Sequence, residues 1–129
     1  MGSFSDDLSD RLLNLVIDII KIEKQLCKTY SGRHIYGQLF RAGSSSAANY
    51  EEARAGESRA DFIHKMQIVL KELRESHFWI KLIMNSKLIT SEDDGLKFLH
   101  AESMELKNII AKSVVTAKSK VGKNSSQND

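Results

Sequence analysis

Arg41-Ala-Gly-Ser-Ser-Ser-Ala-Ala-Asn-Tyr-Glu-Glu-Ala53 continues a helical spacing but puts small and polar side chains on the face that this spacing buries. Either a helical bundle has a polar interior here, or its helices approach one another closely. Upstream, the same seam starts apolar at Ile35 and Leu39, then passes through Ala42, Ser46, Asn49 and Ala53. It predicts a helix over about 33–55.

Before it, Leu8, Leu12, Leu15, Ile19, Ile22 and Leu26 are spaced alternately four and three apart, as in a coiled-coil seam, over about 6–28. Ser5 or Asp6 can cap this helix, and Ser31-Gly32 ends it. Leu13, Val16, Ile17 and Ile20 widen its apolar surface beyond one seam, which implies a second interface. After it come Phe62, Met66, Val69, Leu73, Ser76, Ile80 and Ile83 over about 59–86, with Ser58 as cap. A last seam follows from Leu96 to Ala117, with Thr90 or Ser91 able to cap it.

Short connections between helices of similar length imply an all-α fold, an antiparallel up-down-up-down four-helix bundle over residues 1–118. Residues 119–129 read as a disordered polar tail. Proline is absent, where a usage of roughly 5% would give about six, and that favours long uninterrupted helices.

Composition narrows the function. The net charge is +2 from 19 Lys and Arg against 17 Asp and Glu; setting aside Lys118, Lys120, Lys123 and Asp129 leaves a neutral body with a basic tail. Only an uneven distribution of that charge could make a nucleic-acid surface. No apolar run reaches the ~20 residues of a membrane span, and the first residues are acidic rather than a basic signal region. The single Cys27 forms no internal disulfide, so a cytoplasmic setting is expected.

The chemistry expected is structural. A di-iron bundle needs two Glu-x-x-His pairs, and the nearest approach is Asp61-Phe-Ile-His64, better read as a cap and an exposed imidazole. Hence no metal, no cofactor and no catalytic residue are expected. Asn49 and Glu52 on the second helix, Glu72 and Glu75 on the third, and Arg41 form a candidate polar cluster that fixes helix register. Arg33, Arg54, Arg59, Lys65, Lys71 and Arg74, with Lys118, Lys120 and Lys123 of the tail, are candidate nucleic-acid contacts; solvation is their alternative role. Trp79 at this spacing anchors a core or a subunit contact rather than stacking on a base.

Gln38-Leu-Phe-Arg-Ala42, Asn49-Tyr-Glu-Glu-Ala53, Asp61-Phe62 and Lys71-Glu-Leu-Arg-Glu-Ser-His-Phe-Trp-Ile-Lys-Leu82 resemble the small bacterial four-helix-bundle family first noted within intervening sequences of 23S ribosomal RNA genes. The resemblance implies a homo-oligomeric ring, typically a pentamer, without established enzymatic activity. A related branch, the accessory proteins of diversity-generating retroelements, engages nucleic acid through a basic surface. This chain departs from that branch in its near-neutral body. The partners implied are copies of itself and RNA or an RNA-associated protein, with no membrane.

Overall fold

A computed structural model describes the backbone from Ser3 to Asn128 and side chains as far as Gly122. Among the described residues there are five helices and no strand: α1 (Phe4–Lys21), α2 (Glu23–Leu26), α3 (Tyr30–Arg54), α4 (Arg59–Ser86) and α5 (Asp94–Asn128). None is long and apolar enough to cross a membrane.

Every residue of the first seam is buried, from Leu8 to Leu26, with α2 continuing α1 past a local break at Ile22. The helix starts differently from the sequence expectation. Ser3, rather than Ser5 or Asp6, is the cap: its hydroxyl accepts from the Asp6 amide at 3.0 Å, and the Asp6 carboxylate accepts from the Ser3 amide. That reciprocal pair satisfies two amides that would otherwise lack partners.

The α2–α3 junction also departs from expectation. The Thr29 hydroxyl accepts from the Gly32 amide at 3.0 Å and starts α3 at Tyr30, so Gly32 opens the next helix instead of closing the first. A Cβ on Gly32 would stand 1.9 Å from the Leu26 carbonyl oxygen, which is why glycine occupies this turn. Ser58 caps α4 as expected, accepting from Asp61 at 3.1 Å. At the start of α5 the Asp93 carboxylate, not Thr90 or Ser91, accepts from the Leu96 amide at 2.9 Å.

Side-chain contacts give the topology. Ser5 meets Tyr50, and Gly43 meets Ile19, so α1 and α3 run antiparallel. Arg41 reaches Glu72 while Glu52 reaches Lys65, which makes α3 and α4 antiparallel. His77 lies against Ser103, and Phe62 shares a cavity wall with Ile109 and Ser113. Arg11 with Glu102, and Gln25 with Asp93, close the cycle between α1 and α5. The result is an antiparallel four-helix bundle in which each long helix packs on two neighbours.

Three seam positions occupied by serine are buried without loss, whereas Ser113 of the last seam is only half-buried. Ser46, Ser76 and Ser103 are each fully buried, and their hydroxyls donate to the Gly43, Glu72 and His100 carbonyls of their own helices. Small side chains with internally satisfied hydroxyls bring helices close without orphaned polar atoms. Among the residues whose side chains are described, the last buried one is Ala117, near the expected end of the bundle at 118, and α5 continues as helix across the segment read as a tail.

Candidate functional site

The polar cluster forms in part. Arg41 reaches across from α3 to two carboxylates of α4, Glu72 at 3.2 Å and Glu75. Glu75 also accepts from the Trp79 indole at 3.4 Å, and Trp79 meets the edge of His34 at 6.4 Å. Asn49 stands apart because its amide donates back to the Ser45 carbonyl at 2.8 Å, and Glu52 stands apart because it pairs with Lys65 at 2.5 Å. Glu72 is only 6% exposed, so Arg41 neutralises a buried carboxylate. Arg41→Met should cost about 1–3 kcal/mol, a buried-pair loss discounted for the half-exposed guanidinium. Adding Glu72→Gln should return much of it; urea denaturation of the three proteins measures both steps.

The candidate nucleic-acid contacts separate into groups. Arg54 is committed to Asp6 and Glu51, and Lys65 to Glu52. Arg33 is exposed in the first turn of α3, at the opposite end of the bundle from Arg59. Arg59 and Lys120 line a cavity between the start of α4 and the 109–120 stretch of α5. Lys118 is exposed, and the Lys123 side chain lies outside the described residues.

Lys71 and Arg74 belong to a longer stripe. With Phe78 and Lys81 they are spaced three and four apart on the outer face of α4, and all four are exposed. On α5, His100 and Lys107 lie near His77 of α4. Between Lys65 and Ser86 the only carboxylates are Glu72 and Glu75, both drawn to Arg41 on the α3 flank. Between Lys97 and Lys120 the only carboxylates are Glu102 and Glu105, which pair with Arg11 of α1 at 2.5 and 3.3 Å. A chain of near-neutral composition thus sorts its charge and leaves an α4–α5 face of cations. Lys81 and Lys107 were not among the sequence candidates; the spacing of 71, 74, 78 and 81 was the available signal for the first.

At the base of this face sits His77, buried, its Nδ1 2.9 Å from the Ser103 hydroxyl and its ring 4.9 Å from that of His100. Burial, then repulsion from His100, Lys107 and Lys81, holds its pKa below the usual 6.5. Between the lowered folded value and the ordinary unfolded one, the unfolded chain binds more protons, so stability falls as pH falls. The melting temperature should drop between pH 7.5 and 5.5, and His77→Gln should flatten that dependence.

On the opposite side the bundle is apolar. Leu13, Ile17 and Ile20 of α1 are 56%, 41% and 46% exposed, and Phe40 of α3 is 38% exposed and stacked on Tyr36. Between Leu13 and Val16 of α1 and Ser44, Ala47 and Ala48 of α3 runs a groove of about 410 Å³. The stretch from Arg41 to Ala53 therefore has two uses. Its Gly43 and Ser46 lie against the core, and its Ser44, Ala47 and Ala48 floor an open groove.

Among the described residues no group of three or more His, Cys, Asp or Glu side chains is placed to hold a metal ion. Burial, followed by Glu23, pushes the Cys27 thiol above its ordinary pKa, opposite to the shift that makes a nucleophilic thiolate.

Residues 7–112 match the family described as 23S rRNA-intervening sequence protein. The chain is similar to a solved structure from Bacteroides thetaiotaomicron described as a protein with unknown function from the S23 ribosomal protein family. The two are 30% identical with a TM-score of 0.74, over 83% of this chain and 97% of that one. No curated protein matches the chain.

Proposed function

Given that the chain belongs to the family of 23S rRNA-intervening sequence proteins, we propose that it is a non-enzymatic, cytoplasmic assembly module that presents a basic surface to structured RNA. The observation that carries this reading is the sorting of charge on α4 and α5. All four carboxylates in their central turns are paired on the α3 and α1 flanks, while Lys71, Arg74, Lys81 and Lys107 have no carboxylate partner among the described residues. Cations in an uninterrupted field release counterions when they meet phosphates; cations interspersed with acids gain far less.

The module acts as a ring of copies joined through the apolar α1–α3 face, five in line with the family resemblance. Repetition around a ring multiplies a weak electrostatic contact, because the second and later faces bind at high effective concentration. The two faces suit this division of labour: the apolar one lies on the α1–α3 side, the basic one on the α4–α5 side.

Fluorescence anisotropy with a hairpin RNA tests the basic face. Binding should be tightest at low salt, and the double substitution Lys71→Glu, Arg74→Glu should weaken it about tenfold or more. The salt dependence of log K should lose a slope of about 1–2. Equal affinities for both proteins at low salt would overturn the RNA assignment. The second reading, a protein-interaction adaptor, draws on Phe78, which is 55% exposed in the middle of the basic stripe. Partners captured equally with and without nuclease would favour it.

A further inference from the structure

A second basic feature stands where the start of α4 meets the 109–120 stretch of α5, away from the His77 region. A cavity of about 510 Å³ opens there, within the roughly 300–1,000 Å³ of ordinary ligand sites. Its walls are of two kinds. Phe4, Phe62 and Ile109 make it apolar, and Arg59, Lys112 and Lys120 bring three cations to it. No carboxylate lines it; Asp7 and Asp10 line an adjoining depression that Phe4 also borders.

Phe4 has no packing reason to be aromatic, since it is 66% exposed at the first position of α1. The Ser3–Asp6 capping box nevertheless fixes the backbone that carries it. An exposed phenyl on a fixed helix start beside a half-buried one offers a stacking platform at small entropic cost. Ser113 adds an acceptor: its hydroxyl donates to the Ile109 carbonyl at 3.0 Å and keeps its lone pairs for a ligand N–H.

We infer that this cavity takes an aromatic base carrying a phosphate, supplied as the unpaired terminal nucleotide of an RNA. The base stacks on Phe4 and Phe62, its edge meets Ser113, and its phosphate lies among Arg59, Lys112 and Lys120. An aliphatic anion would satisfy the cations but not the two phenyls that line the cavity, and a free nucleotide shares the chemistry. The RNA source rests on the function proposed above, whereas the base-and-phosphate chemistry rests on the cavity alone.

Three probes separate the sources: a blunt hairpin RNA, the same hairpin with an unpaired 3′ terminus bearing 2-aminopurine, and free 2-aminopurine riboside 5′-monophosphate. Wild-type protein should alter the fluorescence of the unpaired 2-aminopurine and bind that hairpin about tenfold more tightly than the blunt one. Phe4→Ala and Lys112→Glu, both at exposed positions, should each abolish the fluorescence change and the tenfold preference, with blunt-hairpin affinity held within about twofold for Phe4→Ala. Saturation by the free nucleotide, lost in the same variants, would support the cavity with a free nucleotide as its source. No fluorescence change with either 2-aminopurine probe, or a change that survives both substitutions, overturns the inference. Failure of the basic α4–α5 face reads out separately, as an unaltered blunt-hairpin affinity in the Lys71, Arg74 variant.

Discussion

In the proposed ring, replacing Leu13 and Ile17 by glutamate should yield monomers of 14.5 kDa while each bundle stays folded. Both side chains are more than 40% exposed in the single chain, so neither contributes its full area to the core. Burying a Leu or Ile side chain at an interface is worth about 1.5–3 kcal/mol. Losing two, and placing a carboxylate in each vacated apolar contact, weakens every subunit junction by roughly a thousandfold or more. The Ser44, Ala47 and Ala48 floor makes the groove concave, so an apolar ridge from a neighbouring copy can enter it. Light scattering after size exclusion reads the mass directly, and circular dichroism confirms the unchanged helix. A wild-type protein that elutes as a monomer at micromolar concentration would remove the ring, and a double variant that keeps the oligomer mass would move the interface elsewhere.

Gly32→Ala should be the most destabilising single methyl addition in the chain, by about 2–3 kcal/mol, seen as a fall in melting temperature of roughly 5–12 °C at fixed protein concentration. The added Cβ would lie 1.9 Å from the Leu26 carbonyl oxygen, 3.0 Å from its carbon and 3.1 Å from the Thr29 hydroxyl. Backbone atoms cannot step aside as a side-chain end can. Relief requires opening the turn that holds Leu26 to Ile22 at 2.9 Å, Cys27 to Glu23 at 2.8 Å and Gly32 to Thr29. The control is Gly37→Ala on the same helix, where the new methyl meets nothing within 4 Å. There the lower backbone entropy of the unfolded chain and better helix propensity should stabilise by about 0.5–1 kcal/mol. Opposite signs for one substitution type within one helix would tie both effects to the turn geometry.

The seams were legible in the sequence because burial in a bundle repeats along each helix, and the order of residues states that repeat. From Leu8 to Leu26 every seam position is buried, in the third seam only its first member Phe62 is half-buried, and in the less apolar second helix only Asn49 escapes full burial, its place beside the core taken by Tyr50. Helix ends were less legible. Ser3, Thr29 and Asp93 act as caps where neighbours of similar chemistry were equally eligible, and which oxygen meets which amide depends on local dihedral angles.

The flanks of the helices were hidden for a different reason. Glu72 and Glu75 share a helix with Lys71, Arg74 and Lys81, and nothing in that order says which of them a neighbour will neutralise. Asn49 and Glu52 match the spacing of a cross-helix cluster yet bond within α3 and to Lys65, because Arg41 alone of the three reaches the two α4 carboxylates.

From the sequence by itself came the all-α class, the placement of the core seams and the resemblance to a family, all carried by periodicity and local residue types. Only the tertiary structure decided that Gly32 belongs to a backbone contact and that the small residues from Arg41 to Ala53 divide between core and groove. It also decided that a neutral body carries a basic α4–α5 face. Seam burial depends on one helix's own repeat, whereas the fate of a flank charge depends on the neighbour beside it. The same seams would satisfy a bundle turning either way, but only this arrangement sets Arg41 against Glu72 and Arg11 against Glu102.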